Sequence, residues 1–273
     1  MRNVVKISIL GLIASFRVCF ADPLIVAHRG ASKDAPENTI PAFELAWKQG
    51  ADAIEGDFHL SRDGEIICIH DKDTRKTSGQ NLKVRKSTLD ELRQLDVGKY
   101  HSAGYAGTRV PTLAEVFQTV PQGKKFYIEI KSGPKLVPKL IEEIAKSGLD
   151  EDQIVVISFK ENVIRALKAR APQYKAMWLS GFKESDSGKK TPSLNRILKT
   201  LKRIQADGFS SSKSGIELSI IKEVKASGYE YHVWTIDDGD TAKQLLEWGA
   251  QSITTNIPGE MREMLFEEET QRR

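Results

Sequence analysis

Short apolar, β-branched runs recur along the chain, and each is followed by a polar segment whose apolar positions return at helical spacing. Eight runs read as strands, at residues 24–28, 53–58, 125–131, 154–159, 175–179, 208–212, 231–236 and 252–256. The segments 39–48, 113–120, 137–147, 161–169, 194–205, 220–226 and 241–248 read as helices between and after them. Gly50, Gly148, Gly228 and Gly249 each follow a helical run, where a residue without a Cβ turns the backbone at least cost. Strand and helix in steady alternation predict parallel βα units, and eight such units predict an α/β TIM (β/α)8 barrel. An open doubly wound sheet is the competing layout, but the glycine-rich phosphate turn that usually follows its first strand is missing here.

One connection breaks the rhythm. Residues 65–70 read as an extra strand after the turn Arg62-Asp63-Gly64, and about 71–110 form a polar insertion with a short helix near 89–95. Connections of this length usually carry function. The insertion is either a lid over the carboxylate-bearing end of the second strand or a decoration packed on the rim.

Composition adds a compartment and removes a partner class. Residues 1–21 carry Arg2 and Lys6 ahead of the apolar stretch 7–16, with Cys19-Phe20-Ala21 at a cleavage spacing, which reads as a secretory signal peptide. The alternative is a first strand or helix of the domain itself, which otherwise spans 22–273. The stretch is short for a membrane span, so a secreted or periplasmic protein with no stable membrane anchor after cleavage is expected. Losing Arg2, Lys6 and Arg17 takes the formal net charge from +4 to +1, so the basic balance belongs largely to the leader. No block of like charge is interleaved with aromatics, hence no nucleic-acid partner is expected. Cys68 is the only cysteine beyond the leader, which excludes an internal disulfide in the mature chain. The sequence leaves the oligomeric state open.

The chemistry lies at the strand ends. Side chains alternate faces along a strand, so Glu55 and Asp57 point the same way, as do Glu129 and Lys131. Ile54, Phe58, Ile128 and Ile130 interleave as the face turned to the helices, which leaves the acids to the barrel lumen or its rim. Buried unpaired carboxylates are too costly to be accidental, and oxygen donors from separate strands suit Ca²⁺ or Mg²⁺ better than zinc. His28 closes the first strand. A lone histidine there is more often structural, but the neighbouring Arg29 can grip phosphate oxygens at two points and Gly30 can let a ligand approach the backbone. His70-Asp71 closes the extra strand, and two imidazoles can divide proton removal and proton delivery. His59 reads as a supporting group, His101 falls in the insertion, and His232 reads as barrel filling.

The stretches His28-Arg29-Gly30, Pro36-Glu37-Asn38-Thr39, Glu55-Gly56-Asp57, Arg62-Asp63-Gly64, His70-Asp71, Pro111-Thr112-Leu113, Ile128-Glu129-Ile130-Lys131, Val233-Trp234-Thr235 and Ile253-Thr254-Thr255 together resemble the ordered signature of the glycerophosphodiester phosphodiesterases. That resemblance spans 28–258 and implies a TIM barrel in which Glu55, Asp57 and Glu129 hold Ca²⁺ or Mg²⁺, His28 and His70 act as acid and base, and Arg29 and Lys131 bind the phosphate. It implies cleavage of a small-molecule glycerophosphodiester to an alcohol and glycerol 3-phosphate, through a cyclic phosphate formed by a neighbouring glycerol hydroxyl. Glu37 either orders the loop after the first strand, touches the glycerol hydroxyls or supports a helix N-terminus. Trp234 either packs against the glycerol carbons or fills the barrel. Asn256 stands where members often carry aspartate. A lysophospholipase D is the close alternative and needs an apolar groove, for which Phe182, Trp178 and Tyr105 are the candidate borders. A non-catalytic barrel that binds phosphate esters is the third reading, and the full set of acids and histidines argues against it.

Overall fold

The computed structural model describes residues 23–270 apart from 187 and 189, so the leader reading lies outside the described residues. In chain order its elements are β1 (Leu24–His28), α1 (Ile40–Lys48), β2 (Ala53–Leu60), β3 (Ile66–Cys68), α2 (Arg75–Ser78), α3 (Leu89–Arg93), α4 (Leu113–Phe117), β4 (Lys125–Ile130), α5 (Val137–Ser147), β5 (Ile154–Ser158) and α6 (Glu161–Lys168). There follow β6 (Lys175–Ser180), β7 (Lys183–Glu184), β8 (Lys190–Thr191), α7 (Leu194–Ile204), β9 (Gly208–Ser212), α8 (Leu218–Ala226), β10 (Glu230–Trp234), α9 (Gly239–Glu247), β11 (Ser252–Thr255) and α10 (Pro258–Thr270). Eight of the strands pair in parallel in the order β1-β2-β4-β5-β6-β9-β10-β11, and β11 returns to β1, which closes the barrel. The predicted TIM (β/α)8 barrel is therefore the observed fold.

Alternation of side chains sorts two apolar layers. Ile54, Phe58, Phe126, Ile128 and Ile130 face outward and join the helices in the main core, while Val26, Ala53, Tyr127, Val155, Ile157, Met177 and Leu179 fill the barrel axis. His232 is buried among the latter, with Nδ1 at 2.7 Å from Ser252 Oγ and Nε2 at 3.0 Å from Glu230 Oε2, so it fills the barrel as expected.

Short elements and the last helix escaped the sequence pattern, among them the four-residue α2. The β7–β8 ribbon is two residues long per strand, and α10 opens on Pro258-Gly259, a pair that reads as a turn. Proline is well suited to a first helical position, because its missing N–H would have no intrahelical partner there. Through α10 the last βα unit is tied to the first: Arg262 donates to the Gly50 carbonyl at 2.8 Å and to Asp52 Oδ2 at 2.7 Å, and that oxygen also accepts from the Ile25 amide.

The insertion follows β3, which pairs antiparallel to β2. It has a small core of its own, in which Ile67 and Ile69 pack with Val84, Leu92, Leu95, Val97 and Val110. Thr88 and Glu91 cap α3 reciprocally. The insertion touches the loop after β1 at several points, through Lys76 on Glu37 (2.7 Å), the Tyr100 hydroxyl accepting from the Glu37 amide (3.2 Å) and the Tyr105 hydroxyl donating to the Asp34 carbonyl (3.2 Å).

Candidate active site

The C-terminal ends of β1, β2 and β4 lie side by side, with His28 opposite Glu55 and Asp57 opposite Glu129 in the register. Glu55, Asp57 and Glu129 are buried, and one oxygen of each lies within 4.8 Å of the other two. Three oxygen donors converging on one point from two adjacent strands form a set that can hold a metal ion.

The electrostatics state the same need in another way. Burial, then repulsion from Asp57 and Glu129, hold the Glu55 carboxyl well above the usual carboxylate range. Burial and Asp57 likewise push Glu129 up to about 7. Asp57 is also buried, but the Arg29 and Lys131 cations beside it outweigh that cost and hold it down at about 2. Arg29 Nε lies 3.1 Å from Asp57 Oδ2, and Lys131 Nζ lies 2.9 Å from Glu129 and 3.4 Å from Asp57. Fully ionised, the three carboxylates would carry one more charge than Arg29 and Lys131 neutralise; the raised values of Glu55 and Glu129 show protons filling that deficit, a place a further cation can take.

The loop after β1 is shaped to reach this cluster. Arg29 takes a left-handed backbone (φ 58°), from which its amide donates to Glu55 Oε2 at 3.0 Å and its guanidinium meets Glu37 at 3.2 Å. Gly30 has a different task from the ligand approach expected of it. Its φ is +81°, and a Cβ there would lie 2.6 Å from the Ala42 carbonyl carbon, so the residue lets α1 pack against the loop. Gly30→Ala is expected to cost more than the ~2 kcal/mol of left-handed strain alone, because the helix backbone must also move. Urea denaturation checks this; an unchanged midpoint would refute it.

Glu37 does not cap α1, whose N-cap is Thr39; it bridges Arg29 to Lys76 of the insertion. Asn38, not singled out from the sequence, is a buried partner of the cluster. Its Nδ2 donates to Asp57 Oδ2 at 2.9 Å while its Oδ1 accepts from the Asp57 amide at 3.0 Å. The signal was available in the stretch Pro36-Glu37-Asn38-Thr39, but an asparagine in a loop reads first as a turn former.

Both histidines reach the mouth. His28 Nδ1 lies 2.7 Å from Asn256 Oδ1, and burial together with the Arg29 charge lowers its pKa to about 4. His70 Nδ1 lies 2.8 Å from Asp71 Oδ1, and His59 Nε2 meets the His70 carbonyl at 3.1 Å, which supports that turn as expected. His28, Arg29, His70, Lys131, Phe159 and Trp234 share the lining of one cavity of about 100 Å³, which opens beside a groove of about 480 Å³ toward Lys72 and Lys160. Trp234 stacks edge to face on Phe159 at 5.5 Å, and its buried indole N–H has no acceptor among the described residues.

The three suggested borders of an apolar groove do not come together. Trp178 turns outward into the helix-facing core, because even-numbered positions of β6 point away from the lumen, and Phe182, beyond the end of β6, packs on Phe209 at 6.1 Å. Tyr105 sits on the insertion against Asp34.

Residues 28–260 match the Glycerophosphoryl diester phosphodiesterase family. A glycerophosphodiester phosphodiesterase of Caldanaerobacter subterraneus subsp. tengcongensis is 32% identical over 243 residues, covering 86% of this chain and 94% of that protein. Another, from Bacillus subtilis, is 29% identical over 251 residues, covering 86% of this chain and 84% of that protein. Among solved structures, an Oleispira antarctica phosphodiesterase in complex with the product sn-glycerol-3-phosphate superposes with a TM-score of 0.80 at 25% identity, covering 89% of this chain and 96% of that chain.

Proposed function

This chain belongs to the glycerophosphoryl diester phosphodiesterase family, and on that premise we propose that it hydrolyses small glycerophosphodiesters to an alcohol and glycerol 3-phosphate. The observation that carries the reading is the convergence of Glu55, Asp57 and Glu129 with His28, His70, Arg29 and Lys131 at one end of the barrel. The product held by the Oleispira relative is the one this chain would release.

Glu55, Asp57 and Glu129 would hold Ca²⁺ or Mg²⁺, which supplies Lewis acidity and charge neutralisation at a phosphoryl group. Arg29 and Lys131, the cations nearest the cluster, bind phosphate oxygens and stabilise the charge that grows on them. His28, neutral and with Nδ1 engaged by Asn256, keeps Nε2 free to take the proton from the attacking glycerol hydroxyl. As the new P–O bond forms and the bond to the leaving alcohol breaks, His70 delivers a proton to that alkoxide, with Asp71 holding its Nδ1. Water then opens the cyclic phosphate. Trp234 borders the cavity beside Phe159 and offers an apolar wall to the glycerol carbons. A leader over residues 1–21, as read from the sequence, would put this chemistry outside the cytoplasm.

The small cavity suits a glycerol phosphate, and the adjacent open groove suits a polar leaving alcohol. Glycerophosphocholine is therefore expected to give choline and sn-glycerol 3-phosphate in equal amounts, with lysophosphatidylcholine turned over at least about a hundredfold more slowly. Choline release from both substrates checks this; equal rates would favour the lysophospholipase D instead.

A further inference from the structure

Behind His28 a chain of hydrogen bonds runs to the protein surface. Asn256 Oδ1 lies 2.7 Å from His28 Nδ1 and also accepts from the Ser32 hydroxyl at 2.9 Å. The other end of the same amide, Nδ2, donates to Asp237 Oδ2 at 2.6 Å. Asp237 is itself fixed from two sides, since its Oδ1 accepts from the Thr255 hydroxyl and from the Asn256 amide N–H, both at 2.8 Å. Asp237 follows β10 by three residues and Asn256 follows β11 directly, so the two adjacent strands set their separation.

A carboxylate only accepts hydrogen bonds, and a carboxamide has one accepting and one donating end. With Nδ2 bound to Asp237, the amide must turn Oδ1 toward His28, and a ring nitrogen facing an acceptor must carry a proton. The imidazole is then the Nδ1–H tautomer, with its lone pair on Nε2. Were the amide free to flip, Nδ2 would face the ring, Nδ1 would become the acceptor, and Nε2 would hold the proton.

We propose that Asp237 is a positioning residue that, through the orientation of the Asn256 amide, keeps His28 in the tautomer able to accept a proton at Nε2. Neither residue touches the reacting atoms in this scheme; the effect passes through His28. The proposal rests on the role of His28 given above.

The test is a reciprocal exchange, made in the whole enzyme with saturating Mg²⁺ or Ca²⁺ and glycerophosphocholine. Asp237→Asn leaves the Asn256 amide without its anchor and is expected to lower kcat about tenfold with KM changed less than about twofold. Asn256→Asp alone sets two carboxylates face to face and is expected to be impaired as well. The double variant Asp237→Asn/Asn256→Asp reverses donor and acceptor between the two positions yet still presents an acceptor to His28, and is expected to recover kcat to within about threefold of the parent. A merely structural tie would lower thermal stability in the single variants without a kcat-specific loss and without recovery in the double. Nitrogen-15 spectra of His28 give a readout independent of turnover: Nδ1–H in the parent and the double variant, a mixture in Asp237→Asn. Full activity of Asp237→Asn, a double variant no better than either single, or an unaltered tautomer would overturn the proposal. If the parent itself fails to cleave the substrate, the functional reading falls while the spectra still decide the hydrogen-bond chain.

Discussion

His28→Ala is expected to lower kcat by about a thousandfold while the protein stays folded and keeps its affinity for the divalent cation. The side chain sits half-buried at the barrel rim rather than in the packed layers, and its truncation forfeits one hydrogen bond, to Asn256, worth about 1 kcal/mol. No ligand of the acidic cluster is lost. What is lost is the imidazole placed to take the proton, and general-base catalysis typically supplies about 10²–10⁴ in rate. His70→Ala should differ in kind. If His70 protonates the leaving alkoxide, a substrate whose alcohol is p-nitrophenol needs no such help and should be cleaved by His70→Ala at close to the parent rate. The same substrate should leave His28→Ala inactive. Steady-state rates on choline and nitrophenol esters check both statements, and a His28→Ala enzyme within tenfold of the parent on either would sink the base assignment.

Removal of the metal is expected to stop turnover altogether, and its return should stabilise the protein more at pH 8 than at pH 5. Glu129 stands at about 7 without the metal, above the 4.5 of an exposed glutamate. A carboxyl with a raised folded-state pKa binds its proton more tightly folded than unfolded, so stability falls as pH rises from about 4.5 to about 7. The displacement bounds that loss at roughly 3 kcal/mol. Glu55, raised by the same burial and repulsion, adds in the same direction. Asp57 is held down at about 2, so its stabilising contribution is present above the unfolded value near 3.8 and fades only in strong acid, outside this window. A divalent cation replaces the proton as counter-charge, so the rise in thermal midpoint on adding Ca²⁺ or Mg²⁺ should grow from pH 5 to pH 8. Calorimetry in buffers of different ionisation enthalpy should show proton release on binding at pH 6. Full activity in excess EDTA, or a pH-independent shift in midpoint, would refute this account.

The parts of the site that were legible in the sequence are those fixed by strand geometry. A spacing of two residues puts Glu55 with Asp57, and Glu129 with Lys131, on one face whatever else the chain does, and the apolar residues between them say which face is turned to the helices. The roles of Asn38, Asp237 and Asn256 were not legible because each lies just outside an element, where an amide or an acid is also the ordinary choice for a turn. Their partners lie 19 residues away for Asn38 and 228 for Asn256, and only the closed barrel brings them together. Gly30 shows the same limit from the other side: its pattern permits close approach but does not say whether a ligand or the Ala42 backbone is the neighbour. Glu37 was narrowed by structure alone, since its bridge between Arg29 and Lys76 depends on where the insertion docks.

That docking leaves the metal-holding acids to the barrel alone. The insertion carries its own apolar nucleus and meets the loop after β1 largely through polar contacts around Glu37 and Asp34, while the acidic cluster hangs on strands it does not interrupt. Changes within residues 72–110 should therefore leave the acidic cluster in place and act on the groove toward Lys72, whereas His70 and Asp71, where the insertion leaves β3, tie proton delivery to its base.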